Sequence, residues 1–278
     1  MISGRRGRRA LSECPLLSHL DRCTLFSRSS TLQSDTFITA YLDLEQRMQA
    51  LAEADGDVFV PNLKPCGPVD HVFICMEPSL GRWANSVDEG RTRVAEGMRN
   101  FLGSIEDQIL HYSSRHYLCE ADERCFVTDL SKGAMLVKDA DVDRSARYDR
   151  WYDLLLEEID LVARPGATIL AVGTAVAKHL KRRQFPRPFS KILHYSPLAA
   201  KARQDAVVGL DVELEQLKHD VPHEKILETA IQVLEESGVP ESERSATLQM
   251  LQKSEMTHSR YQLLLAYKVA FEKIRGDC

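Results

Sequence analysis

The chain has 278 residues, which at about 100–200 residues per domain allows one large domain with an appendage or two small domains. Its composition, 44% hydrophobic and 28% charged residues, is that of a globular protein and excludes fibrous, collagenous and largely disordered classes. No apolar run approaches the roughly 18 residues that a membrane span requires, so we expect a soluble protein without a membrane partner.

Charge is distributed unevenly along the chain. The formal net charge is -5, from 36 basic and 41 acidic residues. Residues 205–278 hold 8 of the basic and 14 of the acidic residues, a net charge of -6, so residues 1–204 are nearly neutral. The acidity therefore belongs to the tail and does not exclude nucleic-acid binding by the rest of the chain.

Residues 1–34 are rich in arginine and serine. They predict a flexible basic arm, an organellar transit peptide or a start codon assigned too early. The seven cysteines include no CxxC pair, which gives no support to a zinc ribbon, a redox dithiol or a disulfide scaffold. We expect a cytoplasmic protein with no metal and no cofactor, and organellar import stays open. Cys75 and Cys125 lie in apolar runs and are predicted to be core residues.

Apolar runs alternate with helical patterns between residues 35 and 204. Residues 36–54 place apolar side chains on one helical face. Four short apolar runs predict buried strands, at residues 71–76, 125–128, 168–172 and 191–194. Helical patterns lie between them, at residues 91–112, 144–162 and 174–183. This alternation predicts an α/β domain with a mostly parallel, four-stranded sheet flanked by helices.

The pattern beyond residue 205 is helical only. Breaks at Pro222, at residues 238–240 and near Ser254 divide it into three or four helices, the last of which has one apolar face. We therefore predict an acidic helical extension at residues 205–278, with a protein partner as one role for it.

Ionisable residues follow three of the four predicted strands. Ligands of open α/β sheets bind beyond the carboxyl ends of the strands, where Glu77, Asp129 and His194 fall. Each has a purely structural alternative: a surface acid in a turn, a turn cap and a strand-end histidine, respectively. Pro78, directly after Glu77, fixes the turn and favours a functional carboxylate.

Four motifs together resemble the uracil-DNA glycosylase superfamily in order and spacing: ICMEPS at 74–79, FVTDLSKG at 126–133, AVGTAVAKHL at 171–180 and HYSPL at 194–198. The resemblance covers residues 55–204 and implies a DNA glycosylase that flips a base out of the helix. It implies that Glu77 stabilises the oxocarbenium-like sugar and that His194 donates to the base carbonyl. It also implies a base pocket formed by Asp129, Trp83 and Phe101.

The sequence departs from the family pattern at several positions. Cys75 replaces a glycine, Tyr195 replaces a proline, and Gly133 stands where some branches have a cysteine that binds an iron-sulfur cluster, so no cluster is expected. Asp129 stands where the family has an asparagine. An ionised carboxylate only accepts hydrogen bonds, which suits the N4 amine of cytosine better than O4 of uracil. We therefore predict a modified cytosine with a bulky 5-substituent, and by analogy a role in antiviral defence.

Basic residues are concentrated at 178–191, directly before His194. This position is expected to place charge beside the pocket, where it would bind DNA phosphates; a solvated helix face is the alternative. The predicted DNA-binding residues are Lys132, Lys178, Lys181, Arg182, Arg183, Arg187 and Ser196.

Three other functions stay open: a catalytically degenerate module that binds DNA or protein, a uracil-DNA repair glycosylase, and a hydrolase of free nucleosides or nucleotides. The motifs GxGxxG, GxxxxGK[ST], GxSxG and HExxH are missing from the sequence, which argues against nucleotide cofactors, α/β-hydrolase chemistry and zincin sites. We expect a monomer that binds double-stranded or single-stranded DNA.

Overall fold

The computed structural model describes residues 28–81, 83–136, 139 and 142–276. The predicted basic arm lies outside the described residues up to residue 27, and the first helix begins within the rest of it. This helix, α1, spans Arg28–Asp55, so the helix predicted at residues 36–54 is confirmed and begins earlier.

The centre of the fold is a four-stranded, all-parallel sheet. Its strands are β2 (Val69–Cys75), β3 (Cys125–Asp129), β5 (Ala163–Val172) and β6 (Ser190–Ile192), in the order β3-β2-β5-β6. All four coincide with the predicted apolar runs, and the predicted α/β class is confirmed. Two short strands that the sequence analysis missed, β1 (Val58–Phe59) and β4 (Gly133–Ala134), pair antiparallel beside the sheet.

Helices cover both faces of the sheet. Those between the strands are α2 (Val87–Ala95), α3 (Ile105–Ser113), α4 (Arg144–Val162) and α5 (Thr174–Arg182). The chain ends with α6 (Ala200–Ala206), α7 (Asp211–Asp220), α8 (His223–Glu236), α9 (Glu241–Gln252) and α10 (His258–Gly276). No helix among the described residues combines the length and apolarity needed to cross a membrane.

The single helix predicted at residues 91–112 is wrong. The chain forms α2 and α3 with a loop between them, because Gly97 adopts a φ of +114° that ends the first helix. Ser104 and Asp107 then form a capping box that starts α3. The loop carries Asn100 and Phe101, which matter for the site described below.

The C-terminal helices are a structural layer of the α/β domain. Side chains of β2 alternate between two cores, with Val72 and Ile74 facing the one that contains α1 and α4. Phe73 faces the other, where its ring centroid lies 5.7 Å from that of Phe271 in α10. Burial of one such aromatic side chain stabilises by about 1.5–3 kcal/mol. The acidic extension is therefore needed to cover the sheet.

Candidate active site

The strand order places a crevice at the carboxyl edge of the sheet. From β2 the chain crosses to β3 on one side, and the next sheet strand, β5, lies on the other side of β2. Reversals of this kind open a ligand-binding crevice between the two central strands. Glu77, Asp129 and His194 follow β2, β3 and β6 at this edge. The structure therefore brings the three strongest candidates to one end of the sheet.

Glu77 lies two residues beyond β2 and forms an ion pair with Arg144. Its Oε1 is 3.0 Å from Nη2 of Arg144, and its side chain is 6% exposed. The pair is therefore partly shielded from solvent on the side of Glu77. Arg144 was missed in the sequence, although a basic residue in the first turn of a helix opposes the helix dipole and is a signal of another role.

Asp129 is almost fully buried at the end of β3, with 2% of its surface exposed. Its Oδ2 accepts a hydrogen bond of 2.5 Å from Nδ2 of Asn100. Burial raises the pKa of this carboxyl well above its ordinary value; Lys132 opposes the increase, whereas Glu77 and Glu158 add to it. Asn100 has no spacing signal in the sequence, because its contact with Asp129 depends on the loop conformation.

Lys132 is part of a buried polar network and does not reach the surface. It is 2% exposed, and its Nζ donates to Glu158 at 2.8 Å and to Oγ1 of Thr128 at 2.6 Å. Asn62 also donates to this hydroxyl, at 3.2 Å. The chain turns inward after β3 toward α4, which carries Glu158. The prediction that Lys132 binds DNA is therefore wrong for this conformation.

The tautomer of His194 is fixed by a backbone hydrogen bond. Its Nδ1 accepts the backbone N–H of Ser196 at 2.9 Å, so in the neutral ring the proton is on Nε2. Burial, and to a lesser extent Arg203, lower the pKa of His194, which keeps the ring neutral at pH 7. Ser196, predicted to bind DNA, acts here through its backbone.

Gly173 fixes the position of the His194 ring. It follows β5 with a φ of +95°, and a Cβ atom built there would lie 3.0 Å from Cβ and 3.1 Å from Cδ2 of His194. Only glycine adopts this conformation readily and also leaves room for the imidazole.

Two C-terminal helices support the segment that carries His194. Arg203 of α6 donates to the carbonyl of Tyr195 at 3.3 Å. The hydroxyl of Tyr267 in α10 donates to the carbonyl of Leu193 at 3.1 Å. The backbone on both sides of His194 is therefore anchored by these two helices, and one of the anchors, Tyr267, lies outside the span that resembles glycosylases.

Phe101 lies beside the site in the same core as Cys75. It is buried and has a φ of +61°, a strained conformation for this residue type that is most often found near functional sites. Its carbonyl accepts a 2.9 Å hydrogen bond from Nε2 of His111. Burial, together with Arg115, lowers the pKa of His111 to about 4. Cys75 is buried as predicted, whereas Cys125 is half-buried.

Trp83, predicted to line the base pocket with Phe101, belongs to a different cluster. It packs against Val58 and Leu80, and its Nε1 donates to the carbonyl of Ser79 at 2.7 Å. The structure therefore separates the two aromatic residues that the resemblance placed together.

The basic stretch lies along α4 rather than at the crevice. Arg182 binds Asp149 through two hydrogen bonds, of 2.7 and 3.0 Å, Arg183 stacks over the ring of Tyr152, and Arg187 pairs with Asp160 at 2.6 Å. Helix α5 starts at the carboxyl edge and runs back, so Arg182 lies about 12 Å along the helix from its start. The expectation that these arginines flank His194 is therefore wrong, and Lys178 and Lys181 stay as exposed candidates.

Leu198 is an exposed apolar residue next to the site. It lies four residues after His194, and 98% of its surface is exposed. Large apolar side chains rarely project into solvent this completely without a role. Its place in the HYSPL motif is the signal by which the sequence could have indicated it.

A cavity of about 350 Å³ lies at the opposite, amino edge of the sheet, between the starts of β2 and β5 and the end of α10. Asp70 and Arg164 in its lining pair at 2.6 Å, and His71 contacts Glu123 at 3.1 Å. This cavity lies at the end of the sheet opposite to Glu77, Asp129 and His194.

Comparison with known proteins gives no relative for this chain: no family model, no curated protein and no solved structure matches it. Within the described part of the chain, no three His, Cys, Asp or Glu side chains are grouped to hold a metal ion.

Proposed function

We propose that the protein is a DNA glycosylase that flips a base out of DNA and hydrolyses its N-glycosidic bond, leaving an abasic site. One observation carries the proposal: Glu77 and His194 follow β2 and β6 at the crevice, and His194 is held with Nε2 as its donor. Glu77 is an anion that can stabilise a cationic sugar, and His194 is a hydrogen-bond donor that can stabilise an anionic leaving group.

Glu77 supports the sugar side of the reaction. As the bond from C1′ to the base breaks, its electron pair leaves with the base and C1′ gains oxocarbenium character. A preorganised carboxylate stabilises this cation and orients the water that adds its oxygen to C1′. The low exposure of Glu77, 6%, strengthens this interaction because little water screens it.

His194 supports the base side. The departing pyrimidine carries the electron pair on its ring and its carbonyl oxygen. A neutral imidazole that donates through Nε2 stabilises this anion, and the lowered pKa of His194 favours this neutral form.

Leu198 and Lys178 provide contacts suited to DNA. An apolar wedge inserted between base steps lowers the cost of unstacking the target nucleotide, and Leu198 is the exposed apolar residue closest in sequence to His194. Lys178, on the exposed side of α5 and five residues after Gly173, is suited to a phosphate contact.

We further propose that the excised base is a cytosine derivative with a 5-substituent, because the Asp129 carboxylate can accept a hydrogen bond from the N4 amine. A defence role against DNA with modified cytosines follows by analogy with the family it resembles.

A second candidate function is supported by the ion pair between Arg144 and Glu77. A guanidinium at 3.0 Å offsets the charge that Glu77 would direct at the sugar. A degenerate domain that binds DNA without cleaving it is compatible with this arrangement. In an active enzyme, a DNA phosphate would need to draw Arg144 away.

Single-turnover kinetics separate the two functions. Oligonucleotides with one 5-hydroxymethylcytosine, or one uracil, are incubated with excess protein and treated with alkali to cut abasic sites. We expect cleavage by the native protein and a loss on the order of 10² or more with Glu77→Gln, with DNA binding retained.

The matched control is Glu106→Gln, which removes a largely buried glutamate that is paired with Arg260 on α10. It should leave the rate unchanged. DNA binding without base release by the native protein would favour the degenerate module, and an unchanged rate in Glu77→Gln would remove Glu77 from the mechanism.

A further inference from the structure

The three carboxyl groups behind the crevice have unequal partners. Glu77 has the Arg144 guanidinium at 3.0 Å, and Glu158 has the Lys132 ammonium at 2.8 Å. Asp129 is bonded to a neutral amide, that of Asn100. When carboxyl groups share a buried site, the one without its own cation is the first to bind a proton. In this cluster that group is Asp129.

Asn100 determines which oxygen of Asp129 is available to a ligand. The backbone N–H of Phe101 donates to Oδ1 of Asn100 at 3.0 Å, so the amide cannot be reversed without losing this bond. Its Nδ2 therefore points to Oδ2 of Asp129 at 2.5 Å and to Oδ1 of Asn62 at 3.4 Å. Oδ1 of Asp129 is left as the oxygen that can contact a base.

We propose that Asp129, oriented by Asn100, is a two-state reader of the group at position 4 of the flipped pyrimidine. The neutral carboxylic acid donates through Oδ1 to a carbonyl, as in uracil derivatives. The carboxylate accepts at the same atom from an amine, as in cytosine derivatives. The inference rests on the proposed glycosylase function and makes the choice of base depend on one proton.

The groups around Asp129 set the balance between the two states. Glu77 and Cys75 lie at or beyond the end of β2, Tyr195 lies beyond β6, and Glu158 faces Asp129 from α4. Lys132 is the cation among them, and it is bonded to Glu158. The raised pKa of Asp129 agrees with this arrangement.

The test compares two oligonucleotides that differ at position 4 of one base, carrying 5-hydroxymethyluracil or 5-hydroxymethylcytosine. Rates of base release at subsaturating native protein are measured from about pH 6 to 8.5. The ratio of uracil-type to cytosine-type release follows the ratio of protonated to ionised Asp129. It should therefore fall about ten-fold per pH unit, while effects of His194 on both substrates cancel.

Two variants test whether Asp129 is the group that discriminates between the two bases. Asp129→Asn carries a donor and an acceptor that do not titrate, so its ratio should be independent of pH. Asn100→Ala frees the carboxyl group to rotate and should flatten the dependence while circular dichroism shows a native fold.

The negative results distinguish a failure of this inference from a failure of the proposed function. Release of both bases at a ratio that does not change with pH, or release of one base only, overturns the inference and leaves the glycosylase intact. A pH-dependent ratio that persists in Asp129→Asn assigns the effect to another group and also overturns it. Release of neither base overturns the proposed function, and this inference fails with it.

Discussion

Two ion pairs that involve α4 have similar lengths but differ in how deeply they are buried. Lys132 and Glu158 lie 2.8 Å apart behind the crevice, with side chains 2% and 1% exposed. Arg182 and Asp149 lie 2.7 Å apart where α5 packs along the exposed flank of α4, with side chains 48% and 30% exposed. Removing one partner of a buried pair leaves an uncompensated charge, whereas an exposed charge is solvated by water. Burial, and not distance, therefore decides what each pair contributes.

The largest expected effect follows directly from this difference. Lys132→Met leaves Glu158 buried without its cation and should lower the free energy of unfolding by about 3–5 kcal/mol. Arg182→Met, the matched change on the flank, should lower it by less than about 1 kcal/mol. Urea denaturation at pH 7 measures both. Similar losses in the two variants would contradict the comparison.

A second effect concerns His111, which supports the loop of Asn100 and Phe101. Its folded-state pKa is about 4, lowered by burial and by Arg115 from an ordinary value of 6.5. The unfolded chain therefore binds more protons between pH 6.5 and 4, and about 3 kcal/mol of stability should be lost as the pH falls through this range.

The measurement compares the native protein with His111→Gln, whose amide can still donate to the carbonyl of Phe101. Asp107 acts in the opposite direction, because burial raises its folded-state pKa to about 6 and stability is lost as the pH rises toward that value. The difference between the two proteins cancels this contribution. Equal acid sensitivity in both would mean that His111 is not responsible.

A third prediction concerns how closely Gly173 fixes the position of the His194 ring. Gly173→Ala introduces a Cβ 3.0 Å from Cβ of His194, which should displace the ring and slow base release on the order of 10², as His194→Ala should. Gly166→Ala is the control, since Gly166 lies in β5, the strand that Gly173 follows, and has a φ of +83° and open space around it. Both variants bear the same type of backbone strain. Equal rates for the two would show that contact with His194 does not matter.

The smallest effect is expected on the flank. Because Arg182 and Arg183 are engaged with Asp149 and Tyr152, Arg182→Gln with Arg183→Gln should leave the dependence of DNA affinity on salt unchanged. Lys178→Gln should reduce the slope of log affinity against log salt by about 0.9, the value for one phosphate contact. A reduction of about 2 in the arginine variant would restore the original prediction for these residues.

The sequence predicted the sheet well because β2, β3 and β5 each contain a short apolar run between breaks, a pattern that indicates burial on both faces. The edge strand β6 buries only Ile192. It also predicted that Glu77, Asp129 and His194 share an edge, because parallel strands align their carboxyl ends. These inferences need only local patterns and one rule of topology.

The predictions that were wrong concern the direction in which a side chain points after its strand ends. Lys132 was expected at the surface because it follows a strand, but the chain turns into β4 and directs it to Glu158. Arg182 and Arg183 precede His194 in sequence, but α5 carries them away from the crevice. Asn100 was missed because a glycine-terminated helix, rather than a motif, brings it to Asp129.

The hydrogen bond from Tyr267 to Leu193 joins residues 74 positions apart, and it has a consequence for synthesis of the chain. At a translation rate of about 5–20 residues per second, the segment of His194 waits for several seconds before α10 leaves the ribosome. Until then the core that contains Phe73 lacks its α10 side chains and the backbone at His194 lacks its second anchor. For the proposed glycosylase, we therefore expect activity to appear only when the final helix docks.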